Sequence, residues 1–516
     1  MKSIKRIIAL LLTAVMTMTM SVTAFAANSS CTLTVNVKDG QDLKGQTINL
    51  YKLFDVTVSS DKKNYSYTVS NEAGYKSALV EVLGSKISAS SKDEEIAKAV
   101  RDLGQNDSKE VQNFANEFTA KALTKGLTAT KTSGKIIGEN KTSYDFTELA
   151  AGYYLVYVTG GNKIQSSLVT VTGADGKVSL KTEAPSITKA ADKETVSIGQ
   201  VVKYTVTGSV PDTTGYSEYV YKIHDTLSSG LDFVNDATGE DTSNNEVKVK
   251  VAFTDATDAS TAPATATLSG TGNRTMVLDL SAWVKASQAN KGKEFTVTYY
   301  AKVNKDAVVT EKNSAKLEYG NDPDNTTTTK PSEAKTPTYP LDINKTKKGS
   351  EEKLAGAKFR LYSSEADAKA NDESKAIKVS PVVAGVAGNY VVDPTSTTTE
   401  FESVASIDGK NYNLRVNGLA EGTYYLVETK APEGYNKLTA PIVVKIEKSK
   451  DASDETKWTI SKDGTNEEDK IIDVANSTGS MLPSTGGMGT IAFTVVAALL
   501  VLGVAVSFIR DRKKEN

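Results

Sequence analysis

The chain has 516 residues, 39% hydrophobic and 24% charged, with a formal net charge of −2. That balance, with no strongly basic stretch outside the last few residues, gives no sign of a nucleic-acid partner, and none is expected. A single histidine, His224, and a single cysteine, Cys31, leave too little for a Ser-His-Asp or Cys-His catalytic set, a histidine zinc site or an intrachain disulfide.

Residues 1–26 have the form of a secretory signal peptide. Lys2, Lys5 and Arg6 precede an apolar stretch from Ile7 to about Val15, and Ala24-Phe25-Ala26 offers small residues around a cleavage point. A first domain is expected over 27–184. In it Leu33, Val35 and Val37 alternate with polar residues as in a half-buried strand, and a helical insertion runs from about Glu72 to Lys125. Ser91-Lys92-Asp93-Glu94 has the spacing of a capping box, Ile96, Val100 and Leu103 share one helical face, and Val111, Phe114, Ala115 and Phe118 share another.

A middle domain is expected over 185–325. Val201, Tyr204 and Val206 alternate, Phe295-Thr296-Val297-Thr298-Tyr299-Tyr300 is rich in β-formers, and the run from Tyr219 to Asp225 puts His224 on the solvent side of a strand. Four consecutive threonines and four prolines between Asn321 and Pro340 predict a linker over 326–340, before a third domain over 341–477. Asp322-Pro323-Asp324 and Glu467-Glu468-Asp469 lack calcium-loop spacing and are expected to be solvated turns, so neither a metal nor a cofactor is expected. The fold class is therefore mainly β, with tandem immunoglobulin-like sandwiches, the first carrying the helical insertion. Leu149-Ala150-Ala151-Gly152-Tyr153-Tyr154-Leu155-Val156 matches Leu419-Ala420-Glu421-Gly422-Thr423-Tyr424-Tyr425-Leu426-Val427 with one residue of slack, an internal repeat that sets Tyr157 opposite Glu428.

The tail is the most specific segment. Leu482-Pro483-Ser484-Thr485-Gly486 precedes an apolar run over 488–509, long enough to cross a membrane as a helix, and a basic tail over 510–516 that would stay on the cytoplasmic side. The pentapeptide resembles the LPxTG sorting signal of Gram-positive surface proteins. In that signal a sortase cysteine attacks the Thr-Gly carbonyl and passes the threonyl group to an amine. The resemblance implies sortase and peptidoglycan as partners and the cell wall as location.

Two further stretches carry a resemblance. Ile343-Asn344-Lys345, Leu354-Ala355-Gly356-Ala357-Lys358-Phe359, the box beginning Glu428-Thr429-Lys430 and Asp473-Val474-Ala475-Asn476 resemble a Cna B-type domain with a spontaneous Lys-Asn isopeptide bond. The stretch from Ile187-Thr188-Lys189 through Pro211, Asp225 and Leu231 to Asn313-Ser314-Ala315-Lys316-Leu317 is similar to the second domain of sortase-assembled major pilins of the SpaH/EbpB type. The resemblance implies a structural subunit, not an enzyme, of a covalently polymerised pilus. Its partners would be identical subunits, other pilins and host-surface ligands. Bond-forming roles fall on Lys345, Asn476 and Glu428 in the third domain and on Lys189, Asn313 and Asp225 in the middle one. The chemistry is coherent: burial lowers a lysine pKa and raises a carboxyl pKa, so a buried pair can exchange a proton, present NH2 to the asparagine carbonyl and donate to its oxygen. Tyr157 stands where the first domain would need its acid, so no bond is expected there. The family's pilus-linking lysine sits in a Tyr-Pro-Lys motif that this chain lacks; Lys177 and Lys181 are the candidates at the corresponding end of the first domain. That departure leaves a wall-anchored adhesin that is never polymerised as the alternative.

Overall fold

Glu294–Val303 reads Glu-Phe-Thr-Val-Thr-Tyr-Tyr-Ala-Lys-Val, and buried and more exposed side chains alternate through all ten positions, as β-branched and aromatic residues on a pleated ribbon require. The structure, a computed structural model, describes residues 30–479 apart from 38–42, 60–63, 106–107, 139–140, 174, 181–182 and 257–258. The expected signal peptide, Lys181, the sorting signal, the apolar run and the basic tail lie outside the described residues. Residues up to Thr338 pack as one unit and those from Tyr339 as another.

The fold is mainly β. In the first domain β1 (Cys31–Asn36), β2 (Thr47–Val58), β3 (Tyr65–Val69), β4 (Lys131–Lys135), β5 (Ser143–Leu149), β6 (Gly152–Val158), β7 (Ser167–Val171) and β8 (Gly176–Ser179) make two sheets, ordered β5-β1-β8 and β3-β2-β6-β7 with β4 beside β2. Leu33, Val35, Leu50, Tyr154 and Val156 close one core. The insertion is three helices, α1 (Tyr75–Leu83), α2 (Asp93–Arg101) and α3 (Lys109–Lys125). Phe118 of α3 meets Tyr75 of α1 and Tyr51 of β2 with ring centroids 5.9 and 6.3 Å apart. Ser108 caps α3 by accepting from the Val111 N–H, and Gly126 ends it with φ 62°, a conformation that favours glycine. The capping box of α2 falls one residue later than expected: Glu95 accepts from the Lys92 N–H at 2.9 Å, because the Ser91 hydroxyl is engaged by the Ser88 N–H.

The middle domain has β9 (Thr188–Ala191), β10 (Val201–Ser209), β11 (Val220–Leu227), β12 (Leu231–Val234), β13 (Glu246–Lys248), β14 (Lys250–Phe253), β15 (Thr265–Ser269), β16 (Thr275–Asp279), β17 (Glu294–Val303), β18 (Lys312–Gly320), β19 (Thr327–Thr328) and β20 (Ser332–Lys335). One sheet runs β12-β17-β10-β9 with β14 on β17; the other runs β13-β15-β16-β11-β18-β19 with β20 on β18. The stretch expected as a linker is thus corrected in part. Its threonines and the Ser332–Lys335 segment add edge strands to β18, where prolines at 331 and 337 can sit because an edge strand has free donor positions to lose. His224 is half-exposed on β11 and pairs with Glu318 at 2.6 Å.

A hydrogen-bonded seam joins these two domains. Asn321 Oδ1 accepts from the Gly160 N–H at 2.8 Å and the Tyr157 hydroxyl at 3.1 Å, and Tyr219 donates to the Gly160 carbonyl at 3.0 Å. A Cβ on Gly160 would lie 2.9 Å from the Gly320 Cα, so only glycine permits this approach.

The third domain is a second, separate sandwich. Its strands are β21 (Tyr339–Lys347), β22 (Lys358–Tyr362), β23 (Val379–Pro381), β24 (Asn389–Val392), β25 (Phe401–Glu402), β26 (Leu414–Leu419), β27 (Gly422–Lys430), β28 (Ile442–Glu447), β29 (Thr459–Lys462), β30 (Thr465–Asn466) and β31 (Ile471–Asn476). They form the sheets β23-β24-β26-β21-β31 and β25-β22-β27-β28-β29-β30.

Candidate functional site: two buried lysine, carboxylate and asparagine centres

In the third domain β21 and β31 run parallel and adjacent, with Lys345 opposite Val474 and Lys347 opposite Asn476. Lys345, Val474 and Asn476 are all buried, and Glu428 reaches the same space from β27 of the facing sheet. Lys345 Nζ lies 3.6 Å from Glu428 Oε1 and donates to the Val474 carbonyl at 3.3 Å. The other carboxylate oxygen, Oε2, accepts from Asn476 Nδ2 at 2.9 Å and from the Leu438 N–H at 2.7 Å. Asn476 Nδ2 also donates to the Asn436 carbonyl at 2.6 Å, and two acceptors around one nitrogen fix which way the amide points. The expectation that the acid donates to the asparagine oxygen is therefore corrected: one carboxylate oxygen faces the amine and the other faces the nitrogen that would leave.

Burial pushes the Lys345 amine down to about 8, against the opposing pull of Glu428. At neutral pH about a tenth of such an amine is already the NH2 nucleophile. Asn413, buried on the strand approach to β26, holds the backbone of Lys345 from both sides: its Oδ1 accepts from the Lys345 N–H at 2.7 Å and its Nδ2 donates to the Lys345 carbonyl at 3.2 Å.

The middle domain reaches a similar chemistry by a different geometry. Lys189 comes from β9 of one sheet, whereas Asp225 and Asn313 come from the adjacent strands β11 and β18 of the other, where Asp225 pairs with Ala315 and Leu227 with Asn313. The Lys189 amine crosses the core to pair with Asp225 Oδ2, with both side chains fully shielded from solvent. Its Nζ also contacts the Tyr299 hydroxyl and lies 4.8 Å from the ring centroids of both Tyr204 and Tyr299. Burial lowers the Lys189 pKa despite Asp225, and burial raises the Asp225 pKa despite Lys189. Both shifts favour the neutral pair, amine and carboxylic acid. The Asn313 amide is close enough to act on Asp225 and Tyr299, yet neither of its polar atoms makes a hydrogen bond of regular geometry.

Orphaned polar atoms mark both centres. Asp225 Oδ1, Asn313 Oδ1, Asn313 Nδ2, Glu428 Oε1 and Asn476 Oδ1 are buried without hydrogen-bond partners. Each such group costs on the order of 1–3 kcal/mol. A Lys-Asn amide would relieve the buried charge pair at either centre and, in the middle domain, remove the orphaned Asn313 Nδ2 as ammonia.

Among its described residues the first domain carries no such set, for a reason the sequence repeat only half disclosed. Tyr154 donates to the Ala150 carbonyl at 2.7 Å and Tyr424 to the Ala420 carbonyl at 2.9 Å, so the two copies share one corner with no slack between them. The residue matching Glu428 is then Val158, not Tyr157, whose hydroxyl instead serves the seam to Asn321. Likewise β1 pairs with β5 as β21 pairs with β26, Val35 facing Tyr144 where Ile343 faces Leu414. Two residues on, Val37 occupies the place of Lys345. Two valines stand where a buried charge pair would, and such a replacement holds a sandwich together without chemistry.

Tyr299, Tyr204 and Asn413 were not singled out from the sequence as members of these centres. Tyr299 lies within a run marked as β-forming, but periodicity alone does not distinguish a core tyrosine from one touching a buried amine. Of the two lysines considered for subunit linkage, Lys177 is exposed on β8 at the edge of its sheet.

Comparison with known proteins matches three families: a SpaA prealbumin-like fold domain over 340–462, a Gram-positive pilin backbone subunit 2 Cna-B-like domain over 198–323, and an LPXTG cell wall anchor motif over 475–516. A curated relative, fimbrial subunit type 1 of Actinomyces viscosus, is 31% identical over 176 residues, a match spanning 31% of this chain and only 29% of that protein. Among solved structures, the T6 backbone pilin of serotype M6 Streptococcus pyogenes is 16% identical, with 88% of this chain and 99% of that one covered and a TM-score of 0.44. The Corynebacterium diphtheriae major pilin SpaA is 17% identical, with 87% and 100% covered and a TM-score of 0.46. A pilin backbone domain, a SpaA-type domain and an LPXTG wall-anchor motif are thus matched in one polypeptide, the combination of a cell-wall-anchored surface pilin.

Proposed function

We propose that the chain is a shaft subunit of a covalent pilus, and that its middle and third domains each close an internal isopeptide bond, Lys189 to Asn313 and Lys345 to Asn476. The observation that carries the second part is the pairing of each buried lysine with a buried carboxylate beside an asparagine whose carbonyl oxygen is left unsatisfied. In the third domain Glu428 takes the ammonium proton from Nζ through one oxygen, the amine attacks Cγ of Asn476, the carboxyl gives its proton through the other oxygen to Nδ2, and it takes the second Nζ proton as the amide forms, so that Glu428 ends as the carboxylic acid. The new bond is Nζ–Cγ, the broken bond is Cγ–Nδ2, and ammonia departs. Asp225 carries the proton in the middle domain. The subunit catalyses nothing but its own closure.

Assembly follows from the tail. Sortase cuts between Thr485 and Gly486, and the threonyl group passes to a lysine of the next subunit, for which we propose Lys181 or, failing that, Lys177; the last subunit passes to peptidoglycan. Replacing Thr485 or Leu482 should leave protein in the membrane or the medium. Intact-mass measurement of the soluble region should find it lighter than its sequence by two ammonias, and wall extracts should contain a detergent-resistant ladder of high mass. A ladder whose cross-linked peptide joins Thr485 to another lysine would refute the choice of acceptor. The absent Tyr-Pro-Lys motif is the one observation favouring a monomeric adhesin, and wall protein of a single mass would decide for it.

A further inference from the structure

The middle-domain centre contains a fourth group that the lysine, carboxylate and asparagine scheme does not use. Tyr299 sits on β17 directly across from Tyr204 of β10, their rings stacked with centroids 6.0 Å apart, and the Lys189 amine approaches both faces. Two aromatic faces hold a cation at this distance, but they do so whether or not a hydroxyl is present. The Tyr299 hydroxyl does something separate: it contacts Lys189 Nζ on one side and Asp225 Oδ2 on the other. The phenol can accept from an ammonium and donate to a carboxylate through one and the same oxygen, which the Asn313 carboxamide, with its acceptor and donor on different atoms, cannot do. Among the described residues no hydroxyl contacts the third-domain lysine amine, where the second partner of Lys345 Nζ is the Val474 backbone carbonyl, which accepts but cannot pass a proton on.

We propose that Tyr299 is a catalytic residue of the Lys189–Asn313 bond, relaying the ammonium proton of Lys189 to Asp225 and orienting the freed amine toward Asn313. The inference rests on the middle-domain bond proposed above. In the relay a proton passes from Nζ to the phenol oxygen as the phenol's own proton passes to Asp225 Oδ2. Tyr299 ends neutral, Lys189 becomes an amine and Asp225 a carboxylic acid. The amine then forms the Nζ–Cγ bond, the Cγ–Nδ2 bond breaks, and the departing NH2 leaves as ammonia with a hydrogen that began on Nζ. The hydroxyl is poised to act as a neutral group, since burial holds the Tyr299 pKa far above its ordinary value. The lone pair left by the departing proton first faces the Tyr299 oxygen, and rotation about the Cε–Nζ bond turns it toward Asn313 while the remaining hydrogens keep the contacts with Asp225 and Tyr299 available.

The test uses the full soluble chain carrying Glu428→Gln, so that the middle domain accounts for any ammonia lost, and adds Tyr299→Phe, which keeps the ring and removes the hydroxyl alone. Intact mass is followed from the shortest practical expression pulse onward at several pH values. The expected result is a middle domain largely one ammonia heavier at the first time point, closing at least tenfold more slowly than with Tyr299, with a rate that climbs as pH rises because solvent must now take the proton. A Tyr299→Phe chain that closes as fast as its parent, with the same pH profile, overturns the proposal. Asp225→Ala in the same background separates the two claims: if that chain still loses the ammonia, the proposed role of Asp225 fails; if the background chain never loses it, the bond itself fails and the role of Tyr299 with it.

Discussion

Replacing Glu428 by Gln isolates the third-domain chemistry, because the amide keeps the shape of the carboxylate and can still accept from Leu438 and Asn476 while losing the ability to take a proton. The bond it would prevent closes a loop of 476 minus 345, or 131, positions. In the chain-entropy treatment used for disulfides, such a loop restrains the unfolded chain by about 17 cal/mol/K, or about 5 kcal/mol at 25 °C. For a domain of this size about 5 kcal/mol corresponds to a melting temperature lower by on the order of 15 °C. A second signature follows from charge. The unreacted Lys345 remains buried with its pKa depressed, so it binds its proton less tightly folded than unfolded, and the variant's stability should rise with pH toward the ordinary lysine value of about 10.4. The parent, whose lysine would be an amide, should lack that dependence. Intact mass and calorimetry at pH 7 and 9 make the assay: one ammonia regained, a third-domain transition shifted down, and part of the shift recovered at the higher pH. If the variant is as light as its parent, proton transfer through Glu428 is unnecessary and the reasoning fails.

Three further outcomes are expected. Asn413→Ala leaves the Lys345 N–H without its acceptor and removes one donor from the Val404 carbonyl, while the Lys345 and Leu354 carbonyls keep the Leu354 N–H and the Ser403 hydroxyl; it should cost about 1–3 kcal/mol and lower the yield of the third-domain bond, both read from melting and mass. Tyr424→Phe and Tyr154→Phe each remove one hydroxyl-to-carbonyl bond from the shared corner and should each cost about 1 kcal/mol in denaturant unfolding, with no change in mass deficit. Asp342 is pushed up to about 6 by burial, which outweighs Arg415 beside it at 2.9 Å. An acid that holds its proton more tightly when folded loses stabilisation as pH rises, so third-domain stability should fall between about pH 4 and 6 and Asp342→Asn should flatten that slope.

What the sequence disclosed depended on whether the deciding quantity is local. The tail motif and the lysines, acids and asparagines that meet in the two cores were legible because each lies in a short run of fixed order. The helical insertion was legible because Phe114, Ala115 and Phe118 recur with the helical period. The linker was misjudged because Thr327 and Ser332–Lys335 become strands only by pairing with β18, a partner distant in the fold but invisible to composition. The repeat was matched with a residue of slack, and only the equivalent hydroxyl bonds of Tyr154 and Tyr424 remove it and bring Val158 to the acid's place. Tyr299 needed the cross-strand register with Tyr204 and the approach of Lys189 from another strand before it meant anything.

The origin of the middle-domain groups on opposite sheets gives the proposed closure a second consequence. Lys189 meets Asp225 and Asn313 only after both sheets have formed and docked face to face, and side chains alternate along a strand with period two. A slip of β11 by a single residue would turn Asp225 to the outside and leave the amine charged and unreactive. Closure would thus act as an inspection step: correctly registered molecules become permanently locked, while misregistered ones stay open, reversible and exposed to the proteases that meet any newly exported chain. The fraction of subunits carrying the bond then records how many folded in register, before a single one is built into a fibre.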